Sequence, residues 1–161
     1  MLRHLSLVIL ATSFVHFGGL AAAQTNQSRG QGAYRPGLGD MMTMTVQPRH
    51  IKLAEAAREH NWTYAAYELH ELQESFDRVA AVWPEWQHYP ISAMIKFNLA
   101  GPFSALDAAI KAKDSTKFDA AYKQLTESCD SCHRAARREM VVIKVPREAN
   151  FPDQDFAPRH E

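Results

Sequence analysis

DSTKFDAAYKQLTESCDSCHRAA, residues 114–136, is the stretch from which the fold is read. Phe118, Ala121, Tyr122, Leu125, Cys129, Cys132 and Ala136 recur every three or four positions, which places them on one face of a helix. Asp114-Ser115 supplies the polar start that caps free backbone N–H groups. One apolar stripe on an otherwise polar helix must be buried against other elements. Those elements are helices too. No segment alternates apolar and polar residues long enough for a sheet, and Val141 to Val145 is the only β-like run.

Three further helices precede this one. Between Leu38 and Glu59, taken at about 100° per residue from Leu53, Leu38, Met42, Val46, Ala56 and Ala57 fall within about 60° of that direction. Asn61 is read as its stop. A second stripe comprises Trp62, Ala65, Ala66, Leu69, Leu72, Phe76, Ala80 and Trp83, and ends at Pro84 because the residue before proline avoids helical geometry. An aromatic loop, Trp83 to Pro90, leads to a third helix over about Ile91 to Lys113. Gly101-Pro102 inside it predicts a kink or short break. The fold class expected is all-α, an antiparallel four-helix bundle over residues 38–145.

The last helix carries Cys129-Asp130-Ser131-Cys132-His133 near its C-terminal end. Two cysteines two residues apart with a histidine next is the attachment pattern for c-type haem. The thiols form thioethers with the haem vinyl groups, and the adjacent imidazole is the proximal iron ligand. These are the only two cysteines in the chain. A thioredoxin-like pair belongs beside a strand-helix-strand pattern, which is not visible here. A zinc site needs more cysteines or a converging set of histidines. A haem-free CxxC thiol redox protein stays as an alternative.

A CxxCH late in the last helix of a four-helix bundle resembles the cytochrome c-prime, or class II c-type cytochrome, family. The resemblance spans about residues 38–140, and its specific part is Cys129 to Arg137. It implies one covalently attached haem c, held by Cys129, Cys132 and His133, with Arg137, the basic residue that the family carries four positions after the histidine, as first choice over Arg134 and Arg138 for pairing with a haem propionate. It also implies two kinds of member. Six-coordinate forms with a methionine ligand carry electrons, and five-coordinate forms bind small gases such as NO and CO.

The sixth iron position is the open choice. In an up-down-up-down arrangement the haem end also holds the start of helix one and the loop between helices two and three. Met42 lies about −20° from the core direction, Met41 at about −120° and Met44 at about 180°. Met42 is therefore the expected metal ligand beside His133, with Pro48 able to turn this register. Plain core filling is the competing role for a methionine. His88, in the loop at the same end, is the remaining candidate. His50, His60 and His70 read as surface residues or as flank residues with satisfied rings, and Trp83, Trp86, Tyr89 and Phe76 as packing and pocket wall.

The termini point to export. Met1 to Ala23 has a basic start, an apolar run and small residues before Gln24, which reads as a cleaved signal peptide and a periplasmic destination. Residues 24–37 read as a flexible leader and 146–161, with Pro146, Pro152 and Pro158, as an extended tail. The mature chain, residues 24–161, has 138 residues. It carries 17 basic against 18 acidic side chains once Arg3 is removed, so there is no cationic surplus for nucleic acid and no polybasic run for a membrane. The expected partner is an unidentified redox protein, with a small gas ligand in the five-coordinate alternative. A homodimer is left open. The expected role is one-electron transfer without covalent change in a substrate, so the chain is not read as an enzyme.

Overall fold

The computed structural model describes residues 34–148 and 151–159. The signal segment, 1–23, and leader positions 24–33 lie outside the described residues. Helix α1 (Leu38–Met41) runs into a π-helical segment (Met42–Val46) and then into α2 (Gln47–Arg58). Then follow α3 (Trp62–Val82), α4 (Ile91–Ala112) and α5 (Ser115–Ala135). Among the described residues there is no strand; one antiparallel bridge pairs Trp86 with Tyr89 in the aromatic loop. The described residues are thus all-α, with four helical rods, the first made of α1, the π segment and α2. Contacts run α2 to α3, α3 to α4 and α4 to α5, and α5 also meets α2.

The first rod departs from a regular helix, and Pro48 accounts for it. Proline has no N–H for the carbonyl four residues back and its ring crowds that carbonyl. Widening the preceding turn relieves the clash. Thr43 and Thr45 stitch that segment by donating their hydroxyls to the carbonyls of Gly39 at 2.5 Å and Met41 at 2.6 Å. By contrast, Pro102 sits inside an unbroken α4, so the short break expected at Gly101-Pro102 does not occur.

Three of the four rods end alike; α3 stops before Pro84 instead. His60, Lys113 and Arg137 all take positive φ, 53° to 55°. In each case two backbone N–H groups reach back into the last turn. Asn61 N bonds Ala56 O at 2.8 Å, Asp114 N bonds Ala109 O at 3.0 Å and Arg138 N bonds His133 O at 2.7 Å. This is the left-handed helix stop usually made by glycine. Asn61 and Asp114 then cap the next helices by accepting from Tyr64 N at 3.1 Å and Lys117 N at 3.0 Å. Asn61 is therefore less the stop of the first rod than the start of α3.

Leu53, Leu72, Leu106, Leu125, Val79 and Tyr122 form the sealed centre. Burying each large apolar side chain contributes about 1.5–3 kcal/mol. The α3 stripe differs from its expected form. Ala66 is exposed, while Glu68 is fully buried. Arg49 Nη1 donates to both Glu68 carboxylate oxygens at 3.2 Å, and the Tyr64 hydroxyl donates to the same carboxylate. Burial of a carboxylate requires partners of this kind. The C-terminal segment is extended but not merely superficial. Phe156 is buried against Tyr64, and Asn61 Nδ2 donates to the carbonyls of Phe156 at 3.1 Å and Ala157 at 3.3 Å.

Candidate functional site

A cavity of about 400 Å³ opens between the first rod, α3, α4 and α5. Its α5 wall is Leu125, Cys129, Cys132, His133 and Ala136. The first rod supplies Leu38, Met42, Val46 and His50. From α4 come Ile91, Met94, Ile95 and Leu99, from α3 Leu72 and Phe76. Trp86 of the loop and Val141 and Ile143 of the strap after α5 complete it. Among the described residues on its lining, Arg138 carries the one fixed charge. The size and apolar lining match a cofactor cleft.

Helical spacing brings the attachment residues together. Cys129 and Cys132 are three positions apart and so share a face, and His133 stands one step round. The His133 Nδ1 is 2.9 Å from the Val141 carbonyl, which can only accept, so Nδ1 carries the proton. The Nε2 lone pair is thereby the free one, the arrangement of a histidine prepared as a metal ligand.

The two thiols are not bonded to each other. Burial pushes the Cys129 thiol up to about 12, with Cys132 and Asp130 adding to the effect, and burial also raises Cys132. Both lie in the last turns of α5, where the helix dipole disfavours a thiolate. Redox-active CxxC pairs have lowered values at helix N-termini. Among the described residues no three His, Cys, Asp or Glu side chains converge as a site for a bare metal ion.

The expected residues divide clearly. Met42 lines the cavity and Met44 is 75 % exposed. Met41, expected to point away, is 7 % exposed and belongs to the core. The π turn rotates less per residue than the angle assumed from sequence, which turns Met41 inward. Arg137 is exposed and off the cavity lining, because its left-handed backbone swings it outward. The same turn brings Arg138 to the lining, with its guanidinium 4.7 Å from the Trp86 ring. His88 is exposed, its ring tilted against Tyr89 at 4.3 Å, and not on the lining. Trp83 turns to the Pro36 carbonyl at 2.9 Å, leaving Trp86 and Phe76 as the aromatic wall.

His50 has the satisfied ring of the flank reading but is not at the surface. It is 5 % exposed and lines the cavity. The Tyr122 hydroxyl donates to the His50 carbonyl at 2.6 Å, so its oxygen accepts from His50 Nδ1–H at 2.9 Å. Nε2 lies 3.1 Å from the Thr126 hydroxyl, which is also 3.0 Å from the Tyr122 carbonyl. Burial pushes the imidazole down to about 4, so it is neutral at pH 7. The signal for it was its place on the turn between Val46 and Leu53, both buried. His60 and His70 lie elsewhere, against Ser115 at 3.3 Å and Glu74 at 3.3 Å.

Comparison with protein-family models, with curated proteins and with solved structures returned no match.

Proposed function

We propose that this chain is an exported, periplasmic monohaem c-type cytochrome built as an antiparallel four-helix bundle of the cytochrome c-prime type. Its role is one-electron transfer to a redox partner protein, and it is not an enzyme. The observation that carries the reading is the shared α5 wall. Cys129, Cys132 and His133 meet on one side of an apolar cavity, with His133 Nε2 left free by the Nδ1 bond to Val141.

The donor set fits a covalent haem. The thiols of Cys129 and Cys132 would hold the haem by adding sulfur and hydrogen across its two vinyl groups, a step that balances without an oxidant. A haem held there would supply a ferric/ferrous couple. His133 would be an iron ligand from α5, and Met42, which lines the cavity from the first rod, would be the thioether donor that favours the ferrous state and raises the potential. Arg138, as the fixed charge on the lining, takes the propionate-pairing role that the resemblance gave to Arg137. Apolar side chains from all four rods keep water away. The raised thiol values weigh against a thiol redox protein.

The test is mass spectrometry and optical spectroscopy of protein made with haem-attachment machinery. The expected product starts at Gln24, carries one haem that survives denaturation and acidic organic extraction, and is low-spin when oxidised. A bare polypeptide mass refutes the cytochrome reading. A high-spin protein that takes up carbon monoxide quickly makes it a five-coordinate gas binder instead.

A further inference from the structure

Asp130 sits between the two cysteines in the sequence, and its carboxylate accepts from the strap that follows α5. The strap turns back at Arg137, and Val141 N donates to the Arg138 carbonyl at 2.9 Å. Two bonds then tie it to the attachment motif. Ile143 N donates to Asp130 Oδ1 at 2.8 Å, and His133 Nδ1 donates to Val141 O at 2.9 Å. Asp130 and His133 are three residues apart on α5, as neighbours on a helix surface. Val141 and Ile143 are two apart on an extended strap, so both links come from its same edge. The Asp130 link is an amide-to-carboxylate bond, stronger than a neutral pair. Further on, Arg58 Nη2 donates to the Pro146 carbonyl at 3.0 Å.

We propose that Asp130 is a positioning residue for the proximal ligand: its carboxylate docks the 141–143 strap so that the Val141 carbonyl holds the His133 ring. The proposal rests on the reading of His133 as an iron ligand. A carbonyl on Nδ1–H makes Nε2 a stronger donor and steadies the ring plane. A stronger donor favours ferric iron, so freeing the strap raises the potential.

The test compares the haem-loaded wild-type chain with Asp130→Asn and Asp130→Ala by potentiometric titration. The Ile143 amide is followed by hydrogen exchange. Asparagine removes the charge but keeps an oxygen that accepts from Ile143 N; alanine removes both. At one fixed ambient potential the ferrous-to-ferric ratio is expected to stand about tenfold higher in the alanine variant than in the asparagine one, about 59 mV for a one-electron couple. The Ile143 amide should exchange faster in the alanine variant alone. Ile143→Pro, which removes the donor and leaves the carboxylate, should raise the potential over wild type by the amount that separates alanine from asparagine, and should add nothing when combined with Asp130→Ala. Equal potentials for the asparagine and alanine variants, or an Ile143 amide still protected in Asp130→Ala, overturn the positioning role. A wild-type chain that takes up no haem instead overturns the cytochrome reading and takes the ligand role with it.

Discussion

Replacing His50 tests how its burial is linked to stability. The ring is held neutral between Tyr122 and Thr126, and burial lowers its proton affinity from an ordinary 6.5 to about 4. An unfolded chain therefore binds a proton on this side chain between those values that the folded chain does not. Stability rises with pH wherever the unfolded state holds more protons. The contribution is complete above pH 6.5 and is lost progressively as the pH falls to about 4. The gap amounts to about 3 kcal/mol. His50→Gln keeps a polar side chain for Tyr122 and Thr126 but cannot titrate. Chemical denaturation of the full chain and the variant from pH 7.5 down to pH 4 gives their stability difference at each pH. That difference should move by about 3 kcal/mol in favour of the variant as the pH falls. Carboxylates elsewhere titrate in both proteins and cancel. A difference that stays flat across the window would refute the claim that the folded protein keeps this ring neutral by burial.

His133→Ala should leave both thioethers able to form but abolish the native spectrum, as read by absorption of the purified protein; an unchanged spectrum would put another histidine on the iron. Met42→Ala should convert low-spin haem to a high-spin form that takes up carbon monoxide readily, at a lower potential, while Met44→Ala at its exposed site leaves both unchanged. Phe156→Ala should lower unfolding stability by about 3 kcal/mol, measured by denaturant midpoint, since a buried ring that packs on Tyr64 is lost.

The rods were legible because their apolar residues repeat every three or four positions, and Asp114 advertised the start of α5 through its capping chemistry. Cys129, Cys132 and His133 were legible because the motif is local. What was hidden depends on partners far apart in the chain. The Glu68 carboxylate looks like a solvent group until Arg49, 19 residues earlier, is placed against it. Phe156 looks like part of a loose tail until Tyr64 and Asn61 meet it across more than 90 residues. The inward turn of Met41 escaped because a uniform rotation per residue was assumed through the wider turn before Pro48. Arg137 was preferred to Arg138 because the left-handed stop, which puts Arg138 and not Arg137 on the lining, has no signal in the sequence.

The raised thiols of α5 bear on what becomes of a chain before it is loaded. Thiolate is the species that attacks a disulfide, and with Cys129 held near 12 almost none forms at neutral pH. A chain that folds early in an oxidising compartment thus shields its cysteines from disulfide exchange. The cavity that they line stays open between the rods. On the cytochrome reading, a chain that folds empty keeps both sulfurs reduced on the wall of that space, a reservoir rather than a dead end.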